Sequence, residues 1–197
     1  MTLLLKLSQL IDWLNERVGK AAFWLVLIMA IISAGNASYR FVFNDSSNGM
    51  LEIQWYLFAA VFLLCSPYTL LKNEHVRIDV LSSRFSARGL AIIDIIGTLF
   101  FLLPMVLMVL WLSIPLVAES YRIDEYSPNA GGLLRWPVKI LLPIGFFLLS
   151  LQGLSELIKR IAFLAGLIDD PNSKEKGPSP EQELAAAIAA SKAQEAK

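Results

Sequence analysis

The stretch LAIIDIIGTLFFLLPMVLMVLWLSIPLVA, residues 90–118, establishes the fold class of this chain. Its only ionisable side chain is Asp94. About 20 apolar residues are enough for a helix to cross a hydrocarbon layer about 30 Å thick. Because this stretch is longer, it predicts a tilted membrane span or one with an emergent end. Pro104 and Pro115 lie inside it and are expected to kink the helix.

Three further stretches, residues 21–39, 51–71 and 136–163, have the same apolar character. Of the 197 residues in the chain, 56% are hydrophobic, and the mean hydropathy is +0.58. This composition is not that of an ordinary soluble domain. The sequence therefore predicts an all-α integral membrane protein whose four transmembrane helices form one membrane domain over residues 21–165.

The two ends of the chain differ from this apolar middle. Residues 1–20 place apolar side chains at helical spacing, with Trp13 suited to a membrane interface. They predict an amphipathic, interfacial N-terminal helix that either braces a partner along the membrane or simply leads into the first span. Residues 166–197 are polar and predict a cytoplasmic tail, either a marginal solvated helix or a flexible, disordered segment.

Lysine and arginine are distributed unevenly between the two sides of the predicted membrane domain. Nine flank the N terminus, the connection after the second span and the end of the fourth span, whereas four lie on the opposite side. Cytoplasmic segments carry the excess of these residues in membrane proteins. Both termini are therefore expected to face the cytoplasm, and the even number of spans agrees with that orientation.

Residues suited to catalysis or to cofactor binding are scarce in this sequence. The formal net charge is zero, which predicts no nucleic-acid partner. His75 is the only histidine, Cys65 is the only cysteine, and neither belongs to a group at metal-ligand spacing. A lone histidine also makes a haem site improbable. We expect no enzyme activity, no catalytic residues, no metal and no cofactor.

The polar side chains within the spans are mostly hydroxyls and amides, such as Ser113 and Gln152. Such groups suit hydrogen bonds between helices, which contribute about 1 kcal/mol or less each. A transporter that handles a polar solute needs dipoles or charges near the middle of the bilayer. If this chain takes part in transport, the sequence indicates that a partner binds the cargo.

Two short motifs stand at opposite ends of the second span. Their six candidate residues are Glu52, Gln54 and Trp55 at the opening, and His75, Arg77 and Asp79 after the exit. At i, i+3 and i+4, Glu52, Trp55 and Tyr56 are predicted to share one helix face. Each motif is a candidate structural or partner-contact element. Ordinary interfacial anchoring is the alternative for Trp55, and capping with lipid-headgroup contact is the alternative for His75 and Arg77.

These two motifs resemble the small transmembrane subunit, DctQ-like, of tripartite ATP-independent periplasmic (TRAP) transporters. The run from His75 to Asp79 is the more specific part. Four spans with both termini inside the cell match the family as well. The resemblance covers about residues 5–165 and leaves out the tail.

The resemblance implies a division of labour among three proteins in and at the bacterial inner membrane. A periplasmic substrate-binding protein, DctP-like, would deliver an organic acid, either a carboxylate or a 2-oxo acid. A large membrane subunit, DctM-like, would carry the acid inward by an elevator movement that a sodium gradient drives. The present chain would be the non-catalytic small permease subunit, which braces the large subunit among membrane lipids.

Two rival functions belong to different classes of protein. The first is a membrane anchor subunit of a redox or other enzyme complex. The single histidine argues against a haem-bearing anchor. The second is a free-standing channel, which the absence of a charged ring in the sequence disfavours.

Reporter fusions test the predicted orientation. Fusions at Asn48 and Pro128 are expected to report the periplasm, and a fusion at Ser83 the cytoplasm, because the lysine and arginine excess lies on the Ser83 side. Paired alkaline phosphatase and fluorescent-protein reporters measure this directly. Reversed signals at the three positions would overturn the charge argument.

Overall fold

The computed structural model describes residues 2–45, 47–73 and 86–169. It consists of helices with one widened turn, and a single isolated bridge joins Tyr126 and Leu134 in the described part. The elements are α1 (Thr2–Phe43), α2 (Asn48–Leu71), α3 (Ala87–Gly97), a π turn (Thr98–Leu102), α4 (Leu103–Arg122), α5 (Trp136–Lys139) and α6 (Leu141–Leu164).

Four helical segments in the described residues are long and apolar enough to cross a membrane, which confirms the predicted number of spans. They are Thr2–Phe43, Asn48–Leu71, Ala87–Arg122 and Trp136–Leu164. The first is 42 residues long and extends about 63 Å at 1.5 Å per residue. That length is about twice the hydrocarbon thickness of a bilayer, so α1 is strongly tilted or extends beyond it.

The predicted N-terminal helix is present and continues into the first span without a break at residue 20. Ser8, Asn15 and Gly19 share the buried side of this first half of α1. Its leucines lie on the outside, where Leu3 and Leu10 are largely exposed. The polar and small side of the helix therefore packs against the protein, and its apolar side faces the surroundings.

The third span is interrupted by the π turn immediately before Pro104. Proline has no N–H and its ring crowds the carbonyl four residues earlier, which disfavours a regular α-helical turn at this position. The wider turn accommodates the proline, and the Leu103 N–H bonds to the Thr98 carbonyl instead. Pro115 lies inside α4 without such an interruption.

Helix α6 is the centre of the bundle. It packs against α1, α2, α3 and α4. Among the described residues, α6 is the one membrane-spanning helix from another span with which α4 has extensive contacts. Small side chains allow this close packing, since the backbone of Gly145 approaches Leu63 of α2 and Gly153 lies beneath Leu102 and Leu103. Contacts between α1 and α6 show that these helices run antiparallel. We call the end with residues 123–135 the loop end, and the opposite end the terminal end.

Substitution of Gly145 tests the packing of α2 on α6. A Cβ atom at this position would lie 2.9 Å from both the Cβ and the carbonyl oxygen of Leu63. Because a backbone atom cannot rotate away, Gly145→Ala is expected to lower the free energy of unfolding by about 1–3 kcal/mol. Gly35→Ala is the matched control, since nothing lies within 4 Å of its added Cβ. Equal thermal unfolding midpoints for both variants in detergent would contradict the close packing.

Candidate functional site

Glu52 is the most deeply buried carboxylate at the loop end, with 3% of its surface exposed. It lies near the start of α2 and reaches across to the segment between the third and fourth spans. One carboxylate oxygen accepts hydrogen bonds from the Ser127 hydroxyl and from the Asn129 side-chain amide, the latter at 2.8 Å. The other accepts the Leu133 N–H at 2.7 Å. Glu52 therefore joins α2 to the loop through three donors.

The loop is shaped to present these three donors together. The two sides of the loop are joined by a hydrogen bond of 2.9 Å from the Ser127 N–H to the Leu133 carbonyl. Gly131 turns the chain with a φ of +70°, a conformation that glycine adopts without steric cost. From α2, the Tyr56 hydroxyl donates to the Leu134 carbonyl at 3.0 Å. The loop is thus fixed to α2 at more than one point.

A second carboxylate holds the base of the same loop. Glu125 accepts a hydrogen bond from Lys139 of α5 and lies 3.7 Å from the Arg135 guanidinium. The Lys139 hydrogen bond holds the pKa of Glu125 below its ordinary value. The ionised Glu125 therefore stabilises the folded loop fully above the ordinary glutamate pKa. This stabilisation is lost as the pH falls through the lowered pKa of Glu125.

The structure separates the residues of the first motif. Glu52 and Tyr56 both bond to the loop, whereas Trp55 is 62% exposed. Gln54 bonds locally, donating to the Met50 carbonyl one turn earlier at 3.1 Å. A role of Trp55 and Gln54 in partner contact stays a prediction.

The second motif, with His75, Arg77 and Asp79, lies outside the described residues. Its assignment as a structural or contact element stays a prediction.

A buried polar network joins α1 to α6. The sequence predicted hydrogen bonds between helices for Gln152, but not its partners on α1. The side-chain amide of Asn15 donates to the side-chain oxygen of Gln152 at 2.7 Å. The side-chain amide nitrogen of Gln152 donates to Asp12 at 2.9 Å. Ser155 donates to the same Asp12 oxygen at 2.7 Å and lies 2.7 Å from the Ser8 hydroxyl. Asn15 and Gln152 are almost completely buried. Hydrogen bonds of this kind fix which faces of two apolar helices meet.

Ion pairs extend the network towards the terminal end. Lys159 lies between two carboxylates, 3.1 Å from Asp12 and 2.5 Å from Glu156. Arg160 lies 3.4 Å from Asp94 of α3. Glu156, Lys159 and Arg160 stand three and four residues apart, a spacing that by itself predicts a helix-end charge cluster. The cluster is present, and it also reaches α1 and α3. Asp94 belongs to this cluster and joins the third span to α6.

A sequence signal for this network exists in α1. Ser8, Asn15, Gly19 and Ala22 recur at intervals of seven, four and three residues, which places them on one face of a helix. These polar and small residues mark the buried side of α1, whereas the leucines at helical spacing mark the side that faces outward.

At both sites the carboxylates pair with groups of the same chain. Glu52 has its oxygens occupied by donors from the loop, and Asp12, Glu156 and Asp94 each face a cation or an amide of α6. Such arrangements stabilise contacts between helices, and they leave these carboxylates committed to partners within the chain.

Replacing Glu52 by glutamine tests the loop contact. Glutamine has one acceptor oxygen and places a donor where the second oxygen was, so either Leu133 or the pair Ser127 and Asn129 loses its acceptor. Glu52→Gln is expected to lower the free energy of unfolding by about 1–3 kcal/mol and to speed amide exchange in the loop. The exposed Glu119, paired with Arg122 in its own helix, supplies the control Glu119→Gln. Unchanged exchange and stability in Glu52→Gln would refute the contact.

Comparison with known proteins identifies the family of the membrane domain. The family model described as "Tripartite ATP-independent periplasmic transporters, DctQ component" matches residues 28–163, which are 136 of the 197 residues. No curated protein and no solved structure matches the chain significantly. The matched range contains the Glu52 contact, the loop and the α6 half of the polar network, whereas Ser8, Asp12 and Asn15 precede it.

The family match covers the four-helix membrane domain from within the first span to the last turn of α6. It agrees with the resemblance found in the two motifs. The chain therefore belongs to the DctQ family, the small permease components of TRAP transporters.

Proposed function

We propose that this chain is a non-catalytic brace for the large, DctM-like subunit during sodium-coupled uptake of an organic acid. In this proposal a DctP-like periplasmic protein delivers the acid, a carboxylate or a 2-oxo acid, and the large subunit alone binds it in the membrane. The small subunit resides in the bacterial inner membrane with both termini in the cytoplasm. The family match carries the proposal.

The geometry of the bundle supports a bracing role. Its carboxylates at the loop end and its ion pairs at the terminal end join separate elements, namely α2 to the loop and α1 and α3 to α6. Contacts at both ends of a helix bundle oppose sliding and tilting of its members. A rigid body of this kind suits a fixed support beside a moving subunit. The family match gives no support to the rival anchor of an enzyme complex.

Reconstitution tests the brace directly. The acid to be tested is the one that the purified binding protein retains. Liposomes with the large subunit, the binding protein and an inward sodium gradient should accumulate this acid only when this chain is also present. Radiolabelled acid inside the liposomes measures uptake, and a gradient of potassium replaces sodium as the control. Full-rate uptake by the large subunit without this chain would refute the bracing role. Uptake by this chain alone would show that it handles the cargo itself.

A further inference from the structure

The first half of α1 carries a row of cations on the side that faces away from the bundle. At 3.6 residues per turn, four residues fall within about 60° of the helix circumference, roughly opposite the buried side of α1. All four are exposed. They are three basic residues and one tryptophan, which we call the basic stripe: Lys6, Trp13, Arg17 and Lys20.

A row of leucines lies beside the basic stripe. By the same helical spacing it occupies the next 60° or so of the circumference, and its members are exposed. They are Leu3, Leu7, Leu10 and Leu14. Water is an unfavourable environment for such a row, whereas hydrocarbon is a favourable one. A helix that lies in a membrane interface buries a leucine row in the acyl chains and holds adjacent lysines and arginines at the headgroups.

The two carboxylates in this half of α1 lie outside the basic stripe. Asp12 is on the α6 side, where Lys159 lies 3.1 Å away. Glu16 lies 2.8 Å from Lys20 and 3.9 Å from Lys72, which caps the end of α2. One carboxylate therefore serves two lysines at this point. A positive charge is left over there, in addition to those of the two remaining cations of the basic stripe.

Those two cations are Lys6 and Arg17. Neither takes part in an ion pair within the part of the chain that the structure describes. The Arg17 guanidinium lies over the Trp13 ring, 5.0 Å from its centroid. This cation–π contact holds the guanidinium beside the aromatic ring without occupying its N–H groups with an acceptor. Both side chains can therefore donate hydrogen bonds to an anion outside the bundle.

The basic stripe lies at the level where the apolar part of α2 ends. The backbone of Gly19 is packed against the Tyr68 side chain, since an added Cβ would lie 2.6 Å from that side chain. Tyr68 is one turn before Leu71, the last residue of α2. Because α1 and α2 follow each other through a short turn and run antiparallel, the residues before Gly19 extend past the end of α2. Headgroups are expected at such a boundary.

We propose that the basic stripe binds the phosphate groups of anionic phospholipids, while the leucine row beside it enters the acyl chains of the same leaflet. The inference is independent of the proposed function, and it gives the N-terminal half of α1 a lipid partner of stated charge.

Charge and shape together favour a lipid surface over an acidic segment of another protein. From Lys6 to Lys20 the basic stripe runs about 21 Å, and the leucine row accompanies it for most of that length. An anionic leaflet offers phosphates and hydrocarbon side by side along any such distance. An acidic segment in water would neutralise the cations and leave the leucines uncovered. Each lysine or arginine near an anionic membrane surface contributes about 1 kcal/mol to binding.

Native mass spectrometry of the purified full-length chain in detergent tests the preference for anionic lipid. With equal amounts of phosphatidylglycerol and phosphatidylcholine added, the unaltered chain is expected to retain phosphatidylglycerol. The double variant Lys6→Gln with Arg17→Gln is expected to bind it about thirtyfold more weakly, equivalent to about 2 kcal/mol for two cations. The matched control, Arg40→Gln with Arg122→Gln, removes two exposed cations at the loop end and should bind it as the unaltered chain does.

Photocrosslinking locates the bound lipid. The photoreactive residue p-benzoylphenylalanine replaces Trp13 on the basic stripe, or the exposed Trp24 farther along α1 as the control. In liposomes of equal phosphatidylglycerol and phosphatidylcholine, lipid adducts at position 13 are expected to be enriched in phosphatidylglycerol. Adducts at position 24, within the apolar stretch, should reflect the mixture. The same two variants are also illuminated in cells that co-express a tagged large subunit.

Each outcome decides the inference. Selective loss of phosphatidylglycerol in the double variant, with enrichment at position 13, supports the lipid site. Equal retention of both lipids by the unaltered chain overturns it, and so does an equal loss in the loop-end control, which would show an effect of net charge alone. A crosslink from position 13 to the large subunit in place of lipid would make the basic stripe a protein contact. If the double variant does not fold, crosslinking at position 13 tests the site without it.

Discussion

Close contact between α6 and its neighbours holds this bundle together. In hydrocarbon, burying apolar surface gives no advantage, so helices associate through close packing and hydrogen bonds. Gly145 and Gly153 bring α2 and the third span close to the α6 backbone, and Gln152 and Ser155 supply polar contacts to α1. One central helix therefore contacts all the other spans, and α1 and α2 also pack directly on each other. Its sequence places small, polar and large apolar side chains on different faces of the helix, and these faces meet different neighbours.

Polar contacts at the two ends of the bundle act in the same direction. At the loop end Glu52 fixes the segment between the third and fourth spans, and at the terminal end Lys159 and Arg160 join α6 to α1 and α3. Removing one partner from a buried ion pair or a satisfied carboxylate costs more than the pair contributes, because the remaining group stays buried. The contacts therefore specify one arrangement of the helices. This specificity, more than added stability, suits the support for a moving subunit that we propose.

The outward surface of the bundle is largely apolar. In the segment from Ala87 to Arg122, 6% of the most apolar part is buried within the chain, and α6 leaves large apolar side chains such as Phe147 exposed. A membrane protein satisfies such faces with lipid or with helices of another subunit. Membership of a family of transporter components agrees with the second solution. The polar groups of the bundle hold its own helices together, and its large apolar side chains face outward.

The four spans, the all-α class and the family could all be predicted from the sequence, because length and hydropathy are local properties and the motif around Glu52 is contiguous. The sequence also indicated the ion pairs of Glu156 with Lys159 and Arg160, which are three and four residues apart. That Glu52 binds the loop, and that Asp12 and Asn15 face α6, emerged only from the folded bundle, since these partners lie 75 to 147 residues away. Contacts at such separations depend on which helix faces meet. The local pattern in α1 marks its buried side, but it does not say which helix that side meets, since this is set by the packing of α1, α2 and α6 together.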